Sequence, residues 1–150
     1  MTNLADNLTA TASRHGQRPA VRLGDSVLTY SQLQDQAQRV ATMLKERGIG
    51  PGDRVGLVLP NVLEFPVLFY GALSVGAIVV PMNPLLKDRE VQYYLEDSGA
   101  QIVFAWKDMA GEAGKAAAAV GIECVRVVPA DFADQLSAFD PTTEVVSRAD

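Results

Sequence analysis

Cysteine and histidine are almost absent from this chain of 150 residues: Cys124 and His15 are the only ones. A single thiol excludes an internal disulfide and any cysteine-rich metal site. A single histidine leaves no His–nucleophile pairing to read, so the chain offers no arrangement for nucleophilic catalysis. Basic charge is also short. Thirteen Lys and Arg stand against eighteen Asp and Glu, a net charge of -5. The cations are scattered, which argues against a phosphate-backbone binder, since such proteins carry a basic face. No run reaches about eighteen consecutive apolar residues, so no membrane span is expected. The N-terminus, MTNLADNLTATASRHG, lacks a cationic start followed by an apolar stretch and does not read as a signal peptide. A cytoplasmic protein is the expectation. What is present suits one domain: 48% hydrophobic residues can fill a core, and 21% charged residues do not mark disorder.

The pattern divides the chain. Residues 4–14 predict a short helix with Leu4 and Leu8 on one face, broken at Arg18-Pro19. Residues 21–23 and 27–29 flank Gly24-Asp25-Ser26 and read as a β-hairpin. Thr29 and Gln32 form a T-x-x-Q capping box for a long helix. Leu33, Ala37, Val40, Ala41 and Leu44 then make one apolar stripe, and Gly48 is the expected C-terminal cap.

Residues 50–84, GPGDRVGLVLPNVLEFPVLFYGALSVGAIVVPMNP, form a β–α–β unit. Parallel strands cannot be joined by a tight turn, so this order implies a crossover. A strand is expected over residues 54–59 and another over 77–81. Asn61 is the expected N-cap of the helix between them, with Glu64 reaching back. Pro66 near its first turn predicts a slight bend. The helix is apolar almost all round, which calls for cover on most sides. Further on, residues 88–97 predict a helix with Val91, Tyr94 and Leu95 inward. Residues 101–105 predict a strand, 108–120 an alanine-rich helix and 122–128 a last strand. One helical turn is expected near residues 131–137, and polar, unstructured chain at 140–143 and 147–150. Strand and helix thus alternate over residues 53–128. The fold class is α/β: a mostly parallel sheet flanked by helices, with a small N-terminal β-hairpin.

Residues 48–52, GIGPG, follow a helix and precede a strand. A dinucleotide loop needs the reverse order, so this is a connecting turn. Gly111-Glu112-Ala113-Gly114-Lys115 lacks the first glycine and the hydroxyl residue of a phosphate loop, and reads as helix. His15 reads as a surface residue beside a helix end, Cys124 as an inert thiol in a strand, and Asp53, Glu64, Asp88 and Glu90 as caps or dipole partners. Pro81-Met82-Asn83-Pro84 follows the end of a parallel strand, where ligands gather in open α/β sheets. Met82, Asn83 and Pro84 are therefore candidates for a pocket edge, against the alternative of a purely structural loop. No residue is put forward as catalytic, cofactor-binding or metal-ligating.

Leu28-Thr29-Tyr30-Ser31-Gln32-Leu33 resembles the TYxxL segment of acyl-activating, adenylate-forming enzymes. Gly52-Asp53-Arg54-Val55, Pro60-Asn61, Glu64-Phe65, Gly71-Ala72, Gly76-Ala77 and Pro81-Met82-Asn83-Pro84 continue in that family's order and spacing. Tyr93-Tyr94-Leu95-Glu96-Asp97-Ser98-Gly99-Ala100 resembles its next helix-to-strand junction. Each motif is weak alone; the ordered set over about residues 4–128 is specific. It looks most like fatty acyl-CoA synthetases of the AMP-dependent ligase family, with aryl-CoA ligases, luciferases and peptide-synthetase adenylation domains also similar. The resemblance implies a parent enzyme that uses ATP, Mg2+ and coenzyme A: an acyl-adenylate forms with release of pyrophosphate, and the thiol then displaces AMP. It also implies that residues 1–150 are the N-terminal subdomain of the AMP-binding large domain, ending before the phosphate-binding loop. Within it, residues 1–20 are a helix, 21–30 a hairpin, 31–128 the α/β layer and 129–150 a linker. Such a segment scaffolds, is inactive alone, and has the rest of the parent as its partner. Two other readings stand beside this one. The first is a non-catalytic binding or self-association module with the helix over residues 65–75 as an exposed apolar surface. The second is a complete nucleotide-binding α/β domain.

Overall fold

Thr29 turns the chain from sheet into helix. The computed structural model describes residues 3–146; the polar end expected at 147–150 lies outside them. Thr29 Oγ1 accepts from Gln32 N at 3.2 Å, and Gln32 Oε1 accepts from Thr29 N at 2.9 Å, so the capping box closes in both directions. Helix α2 (Tyr30–Glu46) follows, after α1 (Ala5–His15) and a hairpin of β1 (Pro19–Leu23) and β2 (Ser26–Thr29). The hairpin turn is shorter than expected. Ser26 pairs with Leu23, leaving only Gly24-Asp25 between the strands, with Gly24 at φ 58°. All five residues of the α2 stripe are buried, and Met43 joins them. The helix ends as a Schellman motif: Gly48 N bonds Lys45 O, Ile49 N bonds Leu44 O, and Ile49 is buried.

The main sheet is entirely parallel, in the order β4-β3-β5-β6. Its strands are β3 (Arg54–Val58), β4 (Ile78–Pro81), β5 (Ile102–Trp106) and β6 (Glu123–Val127), with helices α3 (Glu64–Ser74), α4 (Asp88–Ser98) and α5 (Ala110–Val120) between them. Val55 and Leu57 of β3 and Ile102 and Phe104 of β5 pack with α2 and α3. Their alternates Val58, Val103 and Ala105 pack with Val91, Leu95 and the alanines of α5. The period of two along each strand thus separates two helical layers. Each fully buried Val or Leu contributes on the order of 1.5–3 kcal/mol.

The structure corrects four expectations. Asn61 does not cap α3. The helix starts at Glu64, Asn61 lies exposed three residues earlier, and Leu63 at the N-cap makes no side-chain cap. That start places Pro66 in the first turn, where its missing N–H has no intrahelical partner to lose, so no bend is required. No residue of α3 is exposed, because α1 and α2 cover it; the bare apolar surface expected over residues 65–75 does not exist. Tyr94 points outward at 44% exposure, leaving Val91 and Leu95 as the inward residues of α4. The turn expected near residues 131–137 is a helix of nine residues, α6 (Pro129–Ser137), which seats Phe132 and Leu136 in the core.

Residues 139–146 are unstructured in backbone, as expected at 140–143, but they are fastened. Arg39 Nη1 donates to Phe139 O at 2.8 Å, Thr42 Oγ1 donates to Asp140 O, and Lys45 Nζ meets Glu144 Oε2 at 2.8 Å. Val146 N donates to Ser74 O at 2.8 Å, while Asn3 Nδ2 donates to both Leu73 O and Val146 O. The Val146 amide satisfies the Ser74 carbonyl at the C-terminal end of α3, where the closing turn itself supplies Gly76 N to Leu73 O and Ala77 N to Ala72 O.

Candidate functional site

The strand order sets where a ligand would approach. From β3 the chain crosses by α3 on one face to the edge strand β4. From β5 it crosses by α5 on the other face to β6. The two connections diverge, which opens a crevice at the C-terminal ends of β3 and β5. Residues 60–63 and 107–109 rim it. No glycine occurs in either stretch, and none in the connections that follow β4 and β6. A phosphate cradle needs a glycine loop between strand and helix. The described residues therefore supply no such cradle. They also hold no group of three His, Cys, Asp or Glu placed to share a metal ion. The donor set does not fit an ATP–Mg2+ site.

Apolar relief lies instead under the hairpin, touching the rim only at residues 61–63. One hollow of about 240 Å³ lies between Val21, Arg22 and Leu23 and the loop carrying Asn61 and Leu63. A second, of about 380 Å³, is lined by Leu8, Val21, Tyr30, Leu33 and Tyr70. A third shares Leu63 and reaches Glu64, Phe132 and Gln36. The first two share Val21 and Pro66, so they run as one trough beneath β1. Its chemistry is that of a packing surface, with Arg22 and the phenols of Tyr30 and Tyr70 at the margins. The sequence did not reveal these residues as a group. The half-buried hairpin, with Val21, Val27 and Leu28 on so short a sheet, was the available signal.

The pocket-edge candidates sit elsewhere. Met82 is 7% exposed and its methyl lies 2.9 Å from where a Gly56 Cβ would stand, so it fills space behind β3. Asn83 is exposed, and its Oδ1 accepts from Leu85 N at 2.9 Å, an Asx turn that starts the approach to α4. Pro84 is half-buried. All three follow the edge strand β4, and none lines the trough under the hairpin.

The other flagged residues have structural duties. Asp53 Oδ2 accepts from Gly50 N at 2.8 Å and Oδ1 from Gln101 Nε2 at 2.9 Å, closing the turn before β3. Glu90 accepts from Lys87 N, and Glu112 accepts from Asp88 N at 2.8 Å. Gly111 and Gly114 lie inside α5. His15 is exposed in the last turn of α1. Burial, and then the Glu123 carboxylate, raise the Cys124 thiol above its ordinary range, so it stays protonated and unreactive near neutral pH.

Comparison with known proteins agrees with this geometry. The family model described as AMP-binding enzyme matches residues 8–148. A long-chain-fatty-acid–CoA ligase of Escherichia coli O6:H1 is 34% identical over 137 residues, 90% of this chain. The chain spans only 24% of that relative's length. A long-chain-fatty-acid–CoA ligase of Mycobacterium tuberculosis is 47% identical over 79 residues, covering 53% of this chain and 16% of the relative. Among solved structures, a benzoate CoA ligase from Burkholderia xenovorans LB400 superposes with a TM-score of 0.91 at 26% identity, over 99% of this chain and 31% of its own. The resemblance in the ordered motifs and the α/β architecture are both upheld: the chain belongs to the AMP-binding enzyme family, and corresponds to the N-terminal part of acyl- and aryl-CoA ligases.

Proposed function

We propose that these residues are the N-terminal subdomain of a fatty-acid–CoA ligase with a long- or medium-chain substrate, and that they scaffold rather than catalyse. The observation that carries the substrate class is the 34% identity to a long-chain-fatty-acid–CoA ligase along 137 residues. The parent would join a fatty acid to coenzyme A at the expense of ATP, giving AMP and pyrophosphate, with Mg2+ offsetting the triphosphate charge. Residues 1–20, 21–30, 31–128 and 129–150 would serve there as helix, hairpin, α/β layer and connection. The parent works in the cytoplasm; no helix among the described residues is long and apolar enough to cross a membrane.

Two observations support an inactive segment. Among the described residues the strand-to-helix loops carry no glycine, and the lone histidine is exposed at the end of α1. Pyrophosphate release with ATP, Mg2+ and a fatty acid should not exceed a heat-killed control; turnover above it removes the scaffolding claim. For the parent, thioester formation should be faster with fatty acids than with benzoate. The opposite preference would favour the aryl-CoA reading, which the superposition on a benzoate CoA ligase supports. Met82, Asn83 and Pro84 would stand at the edge of the parent's substrate passage, because ligands collect at the C-terminal ends of parallel strands. In the full enzyme Asn83→Ala should raise KM for the acyl substrate. A KM within about twofold of wild type discards that role.

A further inference from the structure

The carboxamide of Asn3 joins three parts of the fold. Its Oδ1 accepts from Ala5 N at 2.9 Å, where the chain turns into α1. Its Nδ2 donates to Leu73 O at 2.6 Å, in the last turn of α3, and to Val146 O at 2.8 Å, in the strap over residues 139–146. A carboxamide has two N–H donors and one carbonyl, so both donors and the acceptor are engaged. The backbone of the same residue is held as well. Asn3 N donates to Asp6 Oδ2 at 3.1 Å, and Asp6 N donates to Asn3 O at 2.9 Å. The first turn of α1 thus aims the side chain at α3 and the strap.

The strap is held differently at its two sides. Against α2 it relies on the side chains of Arg39, Thr42 and Lys45. The Lys45 and Glu144 side chains are 32% and 68% exposed, and exposed pairs of this kind hold little. Against α3 the partners are half-buried. Val146 N donates to Ser74 O, and the Asn3 amide bridges two carbonyls. Leu73 O and Val146 O both lie within 2.8 Å of one nitrogen. Without its N–H groups, two carbonyl oxygens would face each other with no donor between them.

We propose that Asn3 is the keystone of a latch: one carboxamide holds the start of α1 and the strap over residues 139–146 together, so that the opening of either loosens the other. Ordering one segment fixes the side chain that the other needs, which lowers the entropy lost in ordering the second. Such coupling is reciprocal. It links residues 143 positions apart, and it stands whether or not the parent acts on fatty acids.

Hydrogen exchange by nitrogen-edited NMR on the 150-residue chain reads the latch. In the wild type, the Nδ2 protons of Asn3 should exchange about tenfold or more slower than those of exposed Asn61. Asn3→Asp keeps an acceptor for Ala5 N and places an anion where a helix start favours it, but it has no donor. It should free the strap and leave α1 begun. Exchange at the Val146 amide, corrected for its intrinsic rate, should quicken about tenfold, with the Ala5 amide within about threefold of wild type. Val146→Pro removes the donor to Ser74 O and leaves residue 3 intact. It should quicken exchange at the Ala5 amide and at the Asn3 Nδ2 protons by about threefold or more. The amide of Val103, fully buried in β5, should keep its rate in both variants and so report an intact sheet. Equal exchange of the Asn3 and Asn61 side chains in the wild type overturns the proposal, whatever the variants do. A Val146 amide unmoved by Asn3→Asp, or an Ala5 amide unmoved by Val146→Pro, overturns it too, because the strap and α1 would then open separately.

Discussion

Gly71 has no room for a methyl group. A Cβ there would collide with Val40 Cγ1, and would lie 2.6 Å from Val40 Cβ and 3.0 Å from Ala37 O. Here α3 lies directly against α2, and the neighbours are a β-branched side chain near its root and a backbone carbonyl, neither of which can swing aside. Gly71→Ala should destabilise the chain by about 1–3 kcal/mol in urea titration. Gly114 differs: nothing lies within 4 Å of its added Cβ, and it sits inside α5. Gly114→Ala should stabilise by about 0.5–1 kcal/mol. Equal signs for the two would mean that the α2–α3 approach is looser than described. Cys124 gives a second residue-scale prediction. With its thiol held protonated, native protein should react with a thiol reagent near neutral pH about tenfold more slowly than protein in urea. Thr29 with Gln32 could be read from sequence because a capping box is local in spacing. Asn61 could not be placed, because whether it caps depends on where tertiary packing lets α3 begin.

Elements with a complete apolar period were the legible ones. The α2 stripe from Leu33 to Leu44 faces inward residue for residue, and Thr29 fixes where it starts. Replacing Thr29 by Ala removes the acceptor for Gln32 N. The expected loss is about 1 kcal/mol, seen as a lower urea midpoint with unchanged slope. A loss near zero would mean that Gln32 alone holds the turn. Helix α4 was legible as a helix but not in its orientation. Tyr94 stands between the inward residues Val91 and Leu95 in sequence, yet the 3.6-residue period turns it outward beside Tyr93. Helix α6 was underestimated because Phe132 and Leu136 are its only large apolar residues, too few for a period to show. The pocket-edge candidates were chosen from position after a strand. The strand order shows that this strand is at the edge, and no single sequence reveals strand order.

At the scale of the molecule, the fastening of residues 139–146 across α2 and α3 left no mark in the sequence. Its bonds join residues 70 to 143 positions apart, and most run from an ordinary surface polar side chain to a backbone carbonyl. One of them makes this strap respond to acid. The hydrogen bond from Lys45, and then its charge, lower the Glu144 carboxyl below its ordinary range. The folded value lies under the unfolded one. The contact therefore helps at and above the ordinary carboxylate range and is lost as pH falls through the lowered value. Corrected for its intrinsic rate, hydrogen exchange at the Val146 amide should quicken as pH falls through that lowered value. Lys45→Met should flatten that dependence, and an unchanged profile would show that the ion pair does not hold the strap.

The clasp formed by Asn3, Val146 and the carbonyls of Leu73 and Ser74 has a mechanical consequence. Tension between positions 3 and 146 falls first on three hydrogen bonds, one after another, like opening a zip. The parallel ladders carry none of it until the clasp parts. Handles placed at those positions in an optical trap would record a small early extension and only then the rupture of the sheet.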